Sequence, residues 1–293
     1  MLKWKIGDVT ITRVVELELP GLTFILPDAT PENLKPMTWL APHFVTDEGE
    51  PIASVHALIV ESQGRRIMVD TCIGNDKTLP IKPWCNRSGP FLSDLQQAGF
   101  DRDSIDTVLC THLHPDHVGW NTMLVDGTWI PTFPKAEYLF GRVEWEHWNA
   151  TRNAGTTPLI EQSIEPILNA GLETLVETDH RVTDELWIEP TPGHTPGHVS
   201  VRISSQGQEA VITGDVMHHP CQMARPDWKC TADSDSDAAC ATRVSFLERY
   251  AEVPTLVMAR ISPRRLRGTS SATPTPSASR FSLLASLPAV HLE

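Results

Sequence analysis

The sequence predicts a layered domain of the α/β or α+β class, because its strand-like segments fall into two groups with helix-like segments interspersed. Short segments rich in Val and Ile, separated by Gly, Pro and Asp, mark the strands. The first group comprises residues 9–15, 55–61 and 66–70, and the second comprises residues 186–189, 198–203 and 210–213. At 293 residues, 40% of them hydrophobic, the chain can bury a substantial core without disulfide bonds.

Local signals define the remaining elements in chain order. Residues 90–98 predict a helix that ends at Gly99, and residues 107–110 predict a strand that leads directly into a histidine-rich loop. Further along, the pattern predicts a strand at 136–140, helices at 144–150, 158–170 and 237–253, and a last strand at 255–258. The helix at 158–170 is expected to end at Gly171.

Composition and charge exclude several classes of protein. Lys and Arg total 24 against 37 Asp and Glu, so the net charge of −13 argues against a nucleic-acid partner. No apolar run approaches the ~18 residues of a transmembrane helix, and the first residues lack the apolar region of a secretion signal. We therefore expect a cytoplasmic protein with no membrane partner. The cysteines, including Cys221, Cys230 and Cys240, match no zinc-binding spacing and are expected to be reduced and structural.

The histidine-rich loop is the most informative stretch of the sequence. It places three imidazoles and a carboxylate in six positions, at His112, His114, Asp116 and His117. His112 and His114, two residues apart in an extended loop, can point to the same side, and Pro115 helps to fix the turn that follows. Imidazole nitrogens and carboxylate oxygens are zinc ligands. The alternative interpretation is a cluster of histidines on the surface, which loops after apolar strands seldom contain.

Two later segments add similar residues. Residues 191–198 place His194 on a Pro/Gly-rich turn, and Asp215 follows an apolar strand after Gly214. Either segment alone would be interpreted as an ordinary turn. Together with the histidine-rich loop, they indicate a metal site assembled from several strand ends.

These motifs together resemble the metallo-β-lactamase superfamily of metal-dependent hydrolases. The family pattern H-x-H-x-D-H corresponds to residues 112–117, the pattern T-P-G-H-T-x-G-H to residues 191–198, and the Gly-Asp step to residues 214–215. The resemblance covers nearly the whole chain up to Met258. It implies an α+β fold, an αββα sandwich in which two mixed β-sheets lie face to face with helices outside.

The resemblance also implies a set of metal ligands and a cofactor. Two Zn²⁺ ions are expected, and His198 is expected to orient the loop rather than to bind metal. Asp70 matches a family aspartate that supports the metal loop. The first ion would be held by His112, His114 and His194, and the second by Asp116, His117 and a bridging Asp215.

In this family the nucleophile is a metal-bound hydroxide, and Asp116 would assist proton transfer. His114, where an oxidoreductase branch has Glu, favours the zinc hydrolases. The implied substrate is a small ester-like molecule such as a lactone or aryl ester, with β-lactamase or phosphotriesterase activity as alternatives. Some lactonases have a Tyr where this chain has His218, which could donate to substrate oxygen or simply pack beside the metal loop. A homodimer is plausible for the family.

Aromatic residues on long loops offer candidate walls for a substrate pocket. They lie in residues 37–44 and at Trp120, Trp145, Trp148 and Trp228. Such walls would suit a hydrophobic or aryl substrate, although tryptophan is also common in protein cores.

The end of the chain departs from the family pattern. Residues 1–259 form the expected hydrolase domain, whereas residues 260–293 form an atypical tail rich in Ser, Pro and Arg. The family usually has a His-Phe step after its last strand, but Ala259 is followed by Arg-Ile-Ser-Pro. With permitted codons, this stretch read two nucleotides on encodes Ala-His-Phe-Pro. We therefore hypothesise a frameshift near Arg260, which would leave the second metal site weak or empty, or the protein catalytically impaired.

Overall fold

The computed structural model describes residues 2–259 and the backbone of residues 266 and 267. The strands are β1 (Lys3–Ile6), β2 (Val9–Pro20), β3 (Ile52–Ser62), β4 (Arg65–Val69), β5 (Thr107–Leu109), β6 (Thr122–Val125), β7 (Thr128–Pro131), β8 (Glu137–Gly141), β9 (Glu173–Val176), β10 (Arg181–Thr183), β11 (Leu186–Pro190), β12 (Val199–Ser205), β13 (Gln208–Ile212), β14 (Thr255–Met258) and β15 (Leu266–Arg267). The helices are α1 (Pro31–Leu34), α2 (Phe91–Gln97), α3 (Pro115–Val118), α4 (Arg142–Ala150), α5 (Thr157–Ser163), α6 (Glu165–Ala170), α7 (Cys221–Ala224) and α8 (Ser236–Tyr250).

Most of the strands form two mixed sheets. The seven-stranded sheet has the order β1-β2-β3-β4-β5-β8-β9, and the six-stranded sheet has the order β10-β11-β12-β13-β14-β15. In the first sheet β4, β5, β8 and β9 run parallel, and in the second only β13 and β14 do so within the described residues. A short hairpin, β6-β7, stands apart. The predicted α+β class with two mixed sheets is confirmed.

Alternating side chains on the strands build a layered core. On β3, Leu58 and Val60 face the second sheet, whereas Ala57 and Ile59 face the layer that contains α2, α5 and α6. On β13, Ala210 and Ile212 point into the space between the sheets. Their neighbour Val211 packs instead with residues of α8 and of the segment from residue 22 to residue 44. Helices therefore cover both outer faces of the paired sheets.

Strand directions bring the predicted motifs to one edge of this sandwich. Strands β4 and β5 are parallel, with Val69 opposite Leu109, so the residues that follow them emerge side by side. Strand β12 runs antiparallel to β13, with Val201 opposite Ile212, so β12 begins where β13 ends. The segments at 70–74, 110–118, 191–198 and 213–219 consequently meet at a common edge.

One predicted helix is in fact two. The segment 158–170 is divided into α5 and α6 at Ile164, because Pro166 has no N–H to donate to the carbonyl of Gln162. That carbonyl instead accepts hydrogen bonds from Nζ of Lys77, at 2.9 Å, and from the hydroxyl of Thr122. The broken helix thus creates an acceptor that a distant lysine satisfies.

Lys77 is unusual for a lysine, since its side chain is wholly buried. Its Nζ lies 2.6 Å from Oγ1 of Thr122 and 3.7 Å from the ring centroid of Trp129. Burial lowers the pKa of Lys77 well below its ordinary value, although nearby Asp76 opposes this effect. The unfolded chain therefore binds a proton at this lysine over a pH range in which the folded chain does not.

We expect the substitution Lys77→Met to remove a pH dependence of stability. With Lys77 present, the free energy of unfolding should rise with pH by up to about 1.4 kcal/mol per pH unit, from the lowered folded pKa up to the ordinary value of 10.5. Urea unfolding at neutral and alkaline pH measures this slope. Lys135→Met, which removes an exposed lysine, should leave the slope unchanged, and an unchanged slope in Lys77→Met would contradict the assignment.

Three further expectations can be compared with the described residues. The cysteines at 72, 85, 110, 221, 230 and 240 are free thiols within the described residues. No helix in the same part of the chain has the length and apolar character needed to cross a membrane. The atypical tail and the frameshift hypothesis concern residues 260–293, which lie outside the described residues except for the backbone of β15, which pairs with β14.

Candidate metal centre

Three predicted histidines converge at the edge of the sandwich. His112 and His114 come from the loop after β5, and His194 comes from the turn before β12. Nε2 of His112 lies 3.1 Å from Nδ1 of His114, which in turn lies 2.8 Å from Nε2 of His194. The three potential ligand atoms lie within 4.8 Å of one another. His112 and His194 are buried, and His114 is partly exposed at the opening of the site.

A second group of potential ligands adjoins the first. His112, His117 and Asp215 place their ligand atoms within 4.8 Å of one another. Oδ1 of Asp215 lies 3.2 Å from Nε2 of His117, and Oδ2 of Asp215 lies 3.5 Å from Nε2 of His194. Each oxygen of this carboxylate thus faces a different group. Asp116 is not in the second group, but its Oδ2 lies 3.6 Å from Nε2 of His117.

The donor set fits divalent zinc. Burial, together with the neighbouring imidazoles, holds the pKa values of His112 and His114 well below their ordinary range. The rings are therefore neutral and present lone pairs to a shared centre, as metal binding requires. Burial alone would raise the pKa of Asp215, but the imidazoles around it, above all His117, lower it well below its usual value. Neutral imidazoles with one ionised carboxylate are typical zinc ligands.

Asp70 orients His117 from behind. Its Oδ2 lies 3.0 Å from Nδ1 of His117, and its carboxylate also accepts hydrogen bonds from the backbone N–H and hydroxyl of Thr111. A carboxylate hydrogen-bonded to Nδ1 fixes the proton there, so that Nε2 carries the lone pair that can bind a metal ion. Asp70 has a φ of 58°, a left-handed conformation that Asp and Asn tolerate better than most residues.

We expect Asp70→Asn to weaken metal binding without disturbing the backbone. Asparagine also tolerates the left-handed conformation, but its amide cannot act as a charged acceptor for both His117 and Thr111. Loss of such a partner typically costs about 10–100-fold in metal affinity. Competition with a chromophoric chelator measures this affinity. The exposed Asp106, whose side chain accepts a hydrogen bond from the backbone N–H of Arg66, offers the control Asp106→Asn, expected to have unchanged affinity.

His198 lies behind Asp215 rather than beside the candidate ligand atoms. Its Nε2 accepts a hydrogen bond of 2.9 Å from the backbone N–H of Asp215, and its Nδ1 lies 2.9 Å from the hydroxyl of Thr191. Between them, Gly214 has a φ of 54°, and a Cβ there would lie 2.6 Å from the His198 ring. His198 therefore positions the segment that carries Asp215.

Glu144, on α4, connects the two histidine loops and was not identified from the sequence. Its carboxylate accepts hydrogen bonds from the backbone N–H of Leu113 at 3.1 Å, the backbone N–H of Gly197 at 3.0 Å and the indole of Trp148 at 2.7 Å. Gly197 has no room for a side chain, because a Cβ would lie 2.3 Å from the Glu144 backbone nitrogen. No local signal distinguishes Glu144 from other glutamates on surface helices.

Asp233 is a second contributor that sequence reasoning missed. Its Oδ1 lies 2.8 Å from Nδ1 of His194, so it orients the ring of His194 as Asp70 orients that of His117. Burial opposes ionisation, but the hydrogen bond from His194 lowers the pKa of Asp233. The residue lies in a polar loop, 39 positions after His194, and its spacing follows no metal-binding pattern.

His218 lies on the floor of the site. Its Nε2 is 3.4 Å from Oδ2 of Asp215, and its ring centroid is 4.8 Å from that of His194. Burial lowers the pKa of His218 to about 4, so the ring is neutral near pH 7. The structure thus brings His218 beside the predicted ligands.

The aromatic residues divide between the opening and the core. Trp148 is partly exposed and its ring lies 5.4 Å from that of His114. Trp120 is buried and stacks on Phe91, and Trp228 is buried beneath α8. The expectation that Trp120 and Trp228 line a pocket is therefore wrong, since both fill the apolar layers.

Sequence comparison relates the greater part of the chain to a known family. The family model described as Metallo-beta-lactamase superfamily matches residues 52–249. N-acyl homoserine lactonases of Bacillus sp. and Bacillus thuringiensis are 27% and 25% identical over 132 residues, which is 45% of this chain and 46% of each relative. The aligned segment thus spans about half the length of these curated relatives.

Structural comparison extends the likeness to most of the chain. A hydrolase of the beta lactamase superfamily called AbOPH is 25% identical with a TM-score of 0.75, covering 92% of this chain and 93% of that one. AidC, a dizinc quorum-quenching lactonase, is 22% identical with a TM-score of 0.70, covering 92% and 94% of the two chains. At 22% identity, the likeness to AidC concerns the fold alone.

Proposed function

Because the chain belongs to the metallo-beta-lactamase superfamily and is a hydrolase of that family, we propose that it is a zinc-dependent enzyme acting on a small ester-like substrate such as a lactone or aryl ester. The observation that carries the proposal is the position of Asp215, whose two oxygens face two adjoining groups of histidine side chains. Two adjacent cations bridged by one carboxylate would suit this arrangement.

Each side chain has a proposed part in binding. His112, His114 and His194 would hold one ion, and Asp116, His117 and the bridging Asp215 the other. Zinc bound there would lower the pKa of a water toward about 7 and polarise the scissile carbonyl.

Asp116 would transfer protons, and His218 would stabilise developing negative charge. The carboxylate of Asp116 is partly exposed at the opening, where it can accept a proton from the attacking water and return it to the leaving oxygen. Nε2 of neutral His218 can donate a hydrogen bond to the oxygen on which negative charge develops. A role as donor requires the proton on Nε2, the nitrogen that faces Asp215.

An exposed aromatic residue lies on a segment that is hydrogen-bonded to the loop carrying Asp233, and we propose that it meets an apolar portion of the substrate. The backbone N–H of Thr231, close to Asp233 in sequence, donates to the carbonyl of Ile25 at 2.8 Å. Phe24 is 51% exposed on that same segment. The sequence similarity of 132 residues of this chain to an N-acyl homoserine lactonase also favours a substrate with an apolar portion. β-Lactams and phosphotriesters are the alternative substrates.

A chromogenic panel tests the proposed function. Metal-free and zinc-reconstituted protein would be assayed with a lactone, an aryl ester, a phosphotriester, a thioester and a β-lactam. We expect zinc-dependent turnover of the lactone or the aryl ester, abolished by a chelator. Turnover only of the β-lactam or phosphotriester would reassign the substrate, and turnover that survives chelation would overturn the metal-dependent mechanism.

A catalytically impaired protein is the second candidate, favoured by the missing His-Phe step after Ala259. We propose that the hydrolase domain ends at residue 259 and that a frameshift generates residues 260–293. The number of bound metal ions separates the two candidates. About two ions per chain together with turnover would exclude an impaired protein, whereas almost no bound metal would support one. Sequencing the gene tests the frameshift, which is wrong if neither shifted frame encodes His-Phe-Pro.

A further inference from the structure

A second kind of donor cluster lies beneath the candidate zinc site. His218, Cys230 and Asp233, together with His194, place one potential ligand atom each within 4.8 Å of all the others. His218 and Cys230 are each 1% exposed, and the side chain of Asp233 is fully buried. The cluster combines nitrogen, sulfur and oxygen donors, whereas the site above it offers only nitrogen and oxygen.

The loop that carries Cys230 and Asp233 is folded into a compact turn that hydrogen bonds hold together. The backbone N–H of Ala232 donates to Sγ of Cys230 at 3.4 Å, and Oδ2 of Asp233 accepts from the backbone N–H of Cys230 at 3.2 Å. Two ligands separated by two residues is a common local spacing in zinc sites, usually with a second cysteine. Here a carboxylate occupies the second position, which is why the cysteine spacings alone give no signal.

His218 is the independent indication that this turn faces a ligand. Neither ring nitrogen of this buried side chain makes a hydrogen bond within the described part of the chain. Nε2 faces Oδ2 of Asp215 at 3.4 Å. The other ring nitrogen, Nδ1, therefore points away from Asp215. A buried imidazole normally has hydrogen-bonding partners, so a ring without them needs an explanation.

We propose that Nδ1 of His218, Sγ of Cys230 and the carboxylate of Asp233 form an additional site for a borderline-soft divalent cation such as Zn²⁺, with water in the fourth position. Binding would form the metal–sulfur bond and break the S–H bond of Cys230, whose proton passes to solvent. One thiolate and one carboxylate balance the two positive charges of the cation, so the buried site is neutral overall.

The additional site would also fix the proton of His218. With a cation on Nδ1, the ring proton must reside on Nε2, the nitrogen directed toward Asp215. Asp233 can keep its 2.8 Å contact with Nδ1 of His194, because each carboxylate oxygen has two lone pairs. The inference concerns metal binding alone and does not depend on which substrate is hydrolysed.

Cobalt titration of the chelator-treated full chain tests the proposal. Cobalt(II) bound to a cysteine thiolate has an intense near-ultraviolet charge-transfer band, which nitrogen and oxygen ligands do not produce. We expect this band in the unmodified protein and its loss in Cys230→Ser, together with one fewer bound cobalt ion per chain. Circular dichroism would confirm that the variant is folded.

Cys221→Ser is the matched control. Cys221 is also buried and free, it lies in the same apolar layer, and burial raises the pKa of both thiols to about 12. We expect this variant to retain the charge-transfer band and the full number of cobalt ions. Absence of the band in the unmodified protein, or its persistence in Cys230→Ser, would overturn the proposal.

Discussion

Asp215→Asn is expected to lower kcat/KM for the preferred substrate by ~1000-fold or more. The carboxylate faces both histidine groups, at 3.2 Å from Nε2 of His117 and 3.5 Å from Nε2 of His194. Replacing it with a neutral amide removes the negative charge that two neighbouring cations would share. Loss of several kcal/mol of transition-state stabilisation corresponds to about this reduction in rate.

Steady-state kinetics and metal analysis of the same samples test this expectation. We expect Asp215→Asn to bind about one ion fewer per chain, and kcat to fall rather than KM to rise. Asp227→Asn is the control, since Asp227 is exposed and pairs with Arg225. Wild-type kinetics in Asp215→Asn would show that this carboxylate does not bridge the reacting centre.

Gly119→Ala is expected to lower the free energy of unfolding by about 3 kcal/mol. Gly119 is in a right-handed helical conformation with a φ of −60°, which alanine adopts readily, so the obstacle is space. A Cβ at Gly119 would lie 1.7 Å from the carbonyl oxygen of Ile73, an atom of the backbone. The segment after the histidine-rich loop would therefore have to separate from the segment after β4.

This separation should also weaken metal binding. The backbone N–H of Gly119 donates to Cys72 at 2.8 Å, and that of Thr71 donates to His117 at 2.7 Å, so the two segments are paired along their length. Chemical unfolding and chelator competition would follow both effects. Gly89→Ala is the control, because a Cβ there would meet no atom closer than 3.8 Å. A change below about 0.5 kcal/mol in Gly119→Ala would contradict the predicted steric conflict.

Local patterns were sufficient to predict most of the strands and helices around the candidate site. Strand β14 coincides with the predicted 255–258, because a short, largely apolar run that follows a turn is a local signal. The hairpin β6-β7 and the edge strand β10 were not predicted, since their strands are too short for an alternating pattern to stand out. The division between α5 and α6 was missed although Pro166 marks it.

The sequence by itself determined the α+β class, the order of the motifs and the histidines that converge, because strand periodicity and the H-x-H-x-D-H spacing are properties of neighbouring residues. Only the tertiary structure decided which distant groups support them. Glu144 contacts Leu113, 31 positions before it, and Gly197, 53 positions after it, and Asp233 contacts His194 across 39 positions. Such contacts depend on how strands from two sheets meet at one edge, and one-dimensional spacing does not encode that geometry. The same reason explains Lys77, whose partner Gln162 lies 85 residues away in the chain.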